Sequence, residues 1–189
     1  MQPAAVAEMS DEAAGAREAL RLAQSGDLAA FERLVRLYER RVYLTALRLL
    51  GNRADAEDAA QEAFLRLHRF LHRIDPARDP GPWIYRVTVN VCRDAARARP
   101  PAGEPGEAAA SGDAEEEMGR EERRGLVARA LETLPAKQRA ALVLRDIEGL
   151  ATREVAAALG CSEATVRSQV SAARLRVKEF IGRVTGRKP

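Results

Sequence analysis

Residues Leu134–Ile181 read LPAKQRAALVLRDIEGLATREVAAALGCSEATVRSQVSAARLRVKEFI, and this stretch decides the fold. Pro135 breaks one helix. The pattern then predicts helices over Lys137–Ile147 and Arg153–Leu159, a turn at Gly160-Cys161-Ser162, and a long helix from Glu163 to about Gly182. Ser162 is a good cap, because its hydroxyl accepts a free first-turn amide hydrogen. Val166, Val170, Ala173, Val177 and Ile181 form the inner stripe of the last helix. Thr165, Arg167, Ser168, Gln169 and Ser171 crowd the outer side of its first turns, followed by Arg174, Arg176, Lys178 and Arg183. The pattern is a helix-turn-helix, whose second helix normally lies in the DNA major groove. Arg167 suits a guanine edge and Gln169 an adenine, while the later cations suit phosphates. Cap, turn and face agree, which favours DNA binding over a plain helical bundle.

Working outward, a helix is predicted to return near Glu121, carrying Leu126, Val127, Ala130, Leu131 and Leu134. Before it, Pro100 to about Ser111 holds Pro, Gly, Glu and Ala without apolar periodicity, with the acidic run Asp113–Glu117 at its far end. That composition predicts a flexible linker. Upstream lies a second helical block. Residues 1–10 read as frayed, and an Ala-rich helix is predicted over Asp11–Gln24. Asp27 can cap the next helix, whose apolar face is Leu28, Phe31, Leu34, Val35, Tyr38, Val42 and Leu49, and Gly51 ends it. Asp55 is expected to start another, with Ala59, Ala63, Phe64, Leu67, Phe70, Leu71 and Ile74 buried. Residues Asp75–Gly81 must loop, and Pro82 suits the start of a helix running from Trp83 to about Arg99. The expectation is an all-α chain of two small domains, 11–99 and 121–183, joined by a linker at 100–120.

Composition agrees. Apolar residues are 46% and aromatics only 4%, so the core must be mostly Leu, Val and Ala. Three of the 31 cations are Lys; a GC-rich genome gives the same bias toward Arg, which therefore carries little weight alone. The net charge of +3 is uneven: residues 1–99 carry +2, residues 100–122 carry −7 and residues 123–189 carry +8. A basic C-terminal block fits a nucleic-acid binder and fits a solvated Arg-rich surface about equally. Cys92 and Cys161 lack metal-binding spacing and read as small apolar residues. No apolar run approaches the roughly 20 residues that span a bilayer, and the N-terminus does not read as a secretory signal. A cytoplasmic, nucleoid-associated protein without membrane insertion is expected.

The helix from Trp83 has two stripes. Ile84, Val87, Val91 and Ala95 form a core stripe; Trp83, Arg86, Asn90, Arg93 and Arg97 form a second. An aromatic ring can stack on an unpaired base, Arg can neutralise phosphate, and Asn can satisfy a base edge. By spacing alone, a solvated face with Trp83 tucked into the core fits slightly better, and both readings stand. His68 and His72 lie four apart on one helix without a third ligand, so a surface pair is expected rather than a metal site. No Gly-rich phosphate loop or nucleophile–base pattern occurs, so neither an enzyme nor a bound cofactor is expected.

Six motifs then agree in order: Gly26-Asp27-Leu28-Ala29-Ala30-Phe31, Asp55 to Phe64 (DAEDAAQEAF), Trp83-Ile84-Tyr85-Arg86-Val87, Leu134-Pro135-Ala136-Lys137-Gln138-Arg139, Arg145-Asp146-Ile147-Glu148-Gly149-Leu150 and Thr165-Val166-Arg167-Ser168. Over about Gly26–Arg99 and Leu126–Ile181 the chain resembles bacterial RNA polymerase sigma factors of the extracytoplasmic-function class, in the sigma-70 superfamily. The resemblance implies region two, a linker and region four. It implies that Asp55, Asp58, Gln61, Glu62, Phe64 and Leu65 dock on the clamp coiled coil of core RNA polymerase, with the flap as a further contact. It implies that the loop Ile74–Gly81 and the next helix capture the non-template strand of the minus-ten element, with Asn90 helping to hold a flipped base. Region four would read the minus-thirty-five element as duplex, through Thr165, Arg167, Ser168, Gln169, Ser171 and Arg174. The negative linker would thread toward the RNA exit path, and an anti-sigma factor would hold the protein inactive. The chain departs from the family at Gln169, often Arg, and at Ser171-Ala172, often bulky or basic. Ala151 replaces a frequent Ser cap, leaving Thr152 for that work, and the loop after Ile74 is Pro-rich. These departures leave the fold intact and bear on which promoter is read. Two other readings compete: a stand-alone helix-turn-helix regulator that binds duplex DNA without polymerase, and a helical interaction module whose charge is incidental. The regulator needs neither the Trp83 stripe nor the Asp55–Leu65 motif.

Overall fold

The computed structural model describes residues 3–98 and 125–186, with side chains from residue 13 onward. The proposed linker, its acidic run and the predicted helix start near Glu121 lie outside the described residues. All regular structure among the described residues is helical. The order is α1 (Pro3–Gln24), α2 (Leu28–Leu50), α3 (Arg53–Arg69), a 3-10 turn at Leu71–Arg73, α4 (Gly81–Ala98), α5 (described over 125–132), α6 (Ala136–Leu142), a π turn (Val143–Ile147), α7 (Thr152–Leu159) and α8 (Glu163–Thr185).

The first module is a bundle of α1–α4. Helix α1 begins at Pro3, not Asp11, and buries Ala16, Ala19, Leu20 and Ala23 in a cluster with Leu34, Tyr38, Val42 and Leu67. Small residues on α1 let it lie close to α2 while Leu20 fills the gap between them. The Gln24 side-chain amide donates to the Leu71 and Ile74 carbonyls, both at 2.8 Å, which ties α1 to the 3-10 turn. Asp27 caps α2 as expected, accepting from the Ala30 amide at 3.0 Å, and Gly51 closes it in left-handed backbone. Leu28 is 71% exposed, so the buried face of α2 starts a turn later than its apolar pattern. Helix α3 also differs from expectation. Asn52, not Asp55, is its cap, accepting from the Asp55 amide at 2.8 Å. Asp55 sits inside the first turn, where its carboxylate takes a 2.6 Å bond from the Asn52 side chain. Cys92 is buried, and burial pushes its thiol up to about 12, in keeping with a small apolar role.

The second module holds α5–α8. Helix α7 leads through Gly160, at φ 65°, into Ser162, whose hydroxyl accepts from the Thr165 amide at 3.1 Å. The helix-turn-helix is therefore built as its turn residues dictate. At the start of α7 the cap position is Ala151, which has no side-chain acceptor. The work expected of Thr152 falls instead to Glu154, whose carboxylate accepts from the Ala151 amide at 2.8 Å. The helix predicted over Lys137–Ile147 is not continuous: after Leu142 it widens into a π turn, marked by the Glu148 amide bonding the Val143 carbonyl at 2.9 Å. Such widened turns recur at functional sites, and Glu148 leaves the helix directly after this one.

The modules pack on one another. Tyr85 and Val89 of α4 belong to the same buried cluster as Leu134, Leu144, Leu150, Val155 and Val166. Two polar clasps cross the seam. The Glu148 side chain, 6% exposed, accepts from Thr45 Oγ1 at 2.8 Å, Arg48 Nη1 at 3.1 Å and Tyr85 OH at 2.9 Å. In return, Arg139 donates through Nη1 to the Leu49 carbonyl at 2.9 Å and through Nη2 to the Glu132 and Leu134 carbonyls. The Leu49 and Glu132 carbonyls end helices α2 and α5, where the helix dipole favours a cation. Burial nonetheless pulls the Arg139 pKa below its ordinary value.

Replacing Arg139 with Leu would strand three carbonyls. The expected loss is about 3 kcal/mol of unfolding free energy, read as a lower urea midpoint. Arg139→Lys should recover only part, because one ammonium cannot reproduce the fork.

Candidate nucleic-acid interface

Helix α4 is set by the loop before it. Asp79 Oδ1 accepts both the Tyr38 hydroxyl, at 3.0 Å, and the Gly81 amide, at 2.9 Å. A Cβ at Gly81 would lie 3.2 Å from Asp79 Oδ1 and 3.2 Å from the Tyr38 hydroxyl, so glycine permits this close approach. Helix α4 starts at Gly81, two residues before the predicted Trp83. Within the loop, Asp75 Oδ1 accepts from the Ala77 amide at 3.0 Å. The loop is thus pinned to α2 at its end and folded on itself at its start.

The surface of α4 has three sides. Ile84, Thr88 and Val91 are buried against the first module. Tyr85 and Val89 face the second module, a side the two-stripe reading did not contain. The remaining side is the predicted stripe: Arg86, Arg93 and Arg97 are exposed and Asn90 is half-buried. Trp83 is also half-buried, packed partly against the first core. It leaves part of its ring toward solvent at the start of a cationic ridge.

On α8, Val166, Val170 and Ala173 are buried, with Val177 and Ile181 half-buried, as the inner stripe predicts. Thr165, Arg167, Ser168, Ser171 and Arg174 are exposed, and Gln169 is half-buried. The two arginines differ. Arg167 makes one 3.3 Å pair with Glu163 on its own helix. Arg174 is gripped through Nε and Nη2 by both Asp146 oxygens, each at 2.7 Å, and these bonds raise its pKa. That pair joins α8 to the π turn.

On α3, Asp58, Gln61 and Leu65 are exposed along one ridge, with Leu65 57% exposed. Glu62 on the same ridge is tied to Arg66 at 2.7 Å. Arg66 also reaches Asp94 of α4 at 3.3 Å. Phe64 turns inward and packs on the first core, and Asp55 serves the helix start. His68 rests edge-on against Phe31, ring centroids 5.1 Å apart. No helix among the described residues is long and apolar enough to cross a membrane.

Residues 34–100 match the family Sigma-70 region 2, and residues 124–177 match Sigma-70, region 4. The chain is 34% identical over 165 residues to the ECF RNA polymerase sigma-E factor of Escherichia coli, a match covering 80% of this chain and 86% of that one. The chain belongs to the ECF sigma factors of the sigma-70 family. It is a promoter-specificity subunit of RNA polymerase. It is also 34% identical over 177 residues to the ECF sigma factor SigE of Mycolicibacterium smegmatis, covering 84% of this chain and 65% of that relative. The solved structure of CnrH in complex with the cytosolic domain of CnrY superposes with a TM-score of 0.69 at 26% identity, covering 88% of this sigma factor and 97% of that chain. Region 2 thus takes in α2, α3 and α4, and region 4 the helix-turn-helix.

Sequence reasoning did not find the Asp79 staple, the Glu148 and Arg139 clasps or the Asp146–Arg174 pair. An Asp two residues before a glycine is a local turn pattern open to reading. The other three join residues distant in sequence. Replacing Asp79 with Ala in this sigma factor should remove about 2 kcal/mol of stability. It should also speed amide hydrogen exchange in the first turn of α4 while leaving α8 unchanged.

Proposed function

We propose that this sigma factor uses its three exposed surfaces for three partners. The α3 ridge of Asp58, Gln61, Glu62 and Leu65, steadied by Asp55 and Phe64, docks on the clamp coiled coil of core RNA polymerase. The α4 stripe takes the non-template strand of the minus-ten element: Trp83 stacks on a base, Asn90 holds an extruded base, and Arg86, Arg93 and Arg97 neutralise phosphates. Opening the duplex this way must offset an unstacking cost of a few kcal/mol. The first turns of α8 read the minus-thirty-five duplex through Thr165, Arg167, Ser168, Gln169 and Ser171, while region four also meets the polymerase flap. Arg174, with its Nε edge given to Asp146, keeps Nη1 for a phosphate. In this reading residues 11–99 form region two, 100–120 the linker and 121–183 region four. The protein works at the nucleoid in the cytoplasm, and an anti-sigma factor holds it inactive. No residue of the chain enters the chemistry, which belongs to the polymerase.

One observation supports this reading: both sigma-70 regions match in order, and Asp58, Gln61 and Leu65 of α3, Arg86, Arg93 and Arg97 of α4 and Thr165, Arg167, Ser168 and Ser171 of α8 are exposed. The test mixes the chain with core polymerase and a supercoiled promoter library and maps start sites. Starts that depend on the added chain are expected; none, together with failure to co-migrate with core enzyme, would refute it. Arg167→Ala should cost about 1–3 kcal/mol at one promoter position, whereas a uniform loss over all sequences would make Arg167 a phosphate contact. Trp83→Ala should impair transcription from a closed template more than from a pre-melted one, and equal defects on the two would contradict its stacking role.

A further inference from the structure

Helix α8 has a face that neither its buried side nor its cations account for. Ala164, Ser168, Ser171 and Leu175 step by four, three and four residues and are all exposed. At about 3.6 residues per turn this stripe lies opposite Val166, Val170 and Ala173, which are buried. It carries hydroxyl and hydrocarbon groups and no charge. Leu175 is 57% exposed. A lone exposed leucine is ordinary on a protein surface. This one lies between two cationic flanks. Arg167, Arg174 and Lys178 line one side of the stripe, and Arg176 and Arg183 the other, all of them exposed.

Flanks and stripe suit different parts of a duplex. The DNA major groove is about 12 Å wide, with a phosphate backbone along each edge. Cations on both sides of one helix match those two backbones, and the strip between them meets the base edges. Arg174 is held to its flank by Asp146, through Nε and Nη2 at 2.7 Å each, so its guanidinium stays on that side. Arg167 pairs with Glu163 one turn back. The short side chains at 164, 168 and 171 let the helix lie close to the groove floor, which brings the turn holding Leu175 within reach of a base edge. From Ala164 to Leu175 the stripe runs about 16 Å, the length of about five base pairs. An uncharged side chain has little to distinguish there. A hydroxyl takes either a donor or an acceptor and discriminates weakly, whereas a hydrocarbon group finds one distinctive apolar partner, the 5-methyl of thymine.

We propose that Leu175 is a specificity-determining residue of this sigma factor, reading a thymine methyl group in the minus-thirty-five duplex from the centre of the outer stripe of α8. The inference rests on the reading of α8 as the duplex reader proposed above, and it names what that face selects. Leu175 gains apolar burial only where a methyl group meets it. Thymine is therefore preferred to cytosine, which presents a hydrogen at the same ring position. Arg167, nearer the helix start, takes a guanine edge, while the flanking cations take phosphates. The two kinds of contact respond differently to salt. Phosphate contacts weaken as salt rises, because they release counterions; a methyl contact releases none, so its effect on affinity is the same factor at low and high salt.

The test uses the full-length chain bound to core polymerase, with promoter fragments selected from a library randomised over the minus-thirty-five element. Selected fragments should carry an A·T pair at a fixed position. Replacing that thymine with uracil, which lacks only the methyl group, should weaken wild-type binding about three- to fivefold, the worth of one buried methyl, at every salt concentration. Leu175→Ala should bind the thymine fragment more weakly by the same factor and no longer distinguish thymine from uracil. Leu175→Met, which keeps an apolar reach, should retain the preference. Wild-type indifference to uracil throughout the element would overturn the inference, as would a set of uracil effects of which Leu175→Ala abolishes none. Weaker capture of core polymerase by Leu175→Ala, with DNA discrimination unaltered, would make Leu175 a protein contact and also overturn it. If scrambling the whole element costs the wild type nothing, the duplex-reading role of α8 itself fails, and the thymine preference with it.

Discussion

Helix α4 is the constraint on which the rest of this sigma factor depends. Its eighteen residues serve the first core, the second module and the exposed cationic stripe at once. A helix offers each face only every third or fourth residue, so nearly every position is committed. Ile84, Thr88 and Val91 go to the core, Tyr85 and Val89 to the second module, and Arg86, Arg93 and Arg97 to solvent with Asn90 half-buried among them. Asp79 fixes where this helix begins, and through Tyr38 it ties that start to the long helix α2. A register slip of one residue in α4 would move the Arg stripe off the surface and Tyr85 off Glu148.

Charge is handled differently at the seam and at the surface. At the seam, charged groups are at least half-buried and paired: Glu148 with Arg48 across the modules, and Arg139 with the end of α2 across the seam and with the end of α5 in its own module. Breaking one partner there is costly because the other remains desolvated. On α8 the pairs are exposed. The single Arg167–Glu163 contact is the kind that contributes little and leaves the guanidinium ready for another acceptor. The two-pronged Asp146–Arg174 contact fixes a geometry between α8 and the π turn. The same residue type is thus loosely held at Arg167 and fixed as a strut at Arg174, two helical turns on.

Much of the fold was legible in the chain because its punctuation is local. Asp27, Gly51, Gly160 and Ser162 act on their own turns, and each does so in the structure. The inner stripe of α8 follows from periodicity in the same way, as do Ala59, Ala63 and Leu67 of α3, whereas Phe70, Leu71 and Ile74, expected on the same helix, lie beyond its end in and around the 3-10 turn. Helix starts were less legible where two caps compete: Asn52 and Asp55 are both good candidates, and the residue that exits extended backbone takes the role. The π turn left no trace, since Val143–Ile147 is as helical in composition as its neighbours.

What the sequence determined by itself is the set of helices, their apolar faces and the helix-turn-helix, because propensity, capping and periodicity act within a few residues; the order of two sigma-70 regions came from the resemblance of its motifs to that family. Only the tertiary structure decided that Tyr85 and Val89 face a second module, that Glu148 is buried among Thr45, Arg48 and Tyr85, and that Arg139 closes the end of α2. Those contacts join groups some sixty to a hundred positions apart. Their physical cause is the demand that buried polar groups find partners, and which partner is available is settled only when the helices meet.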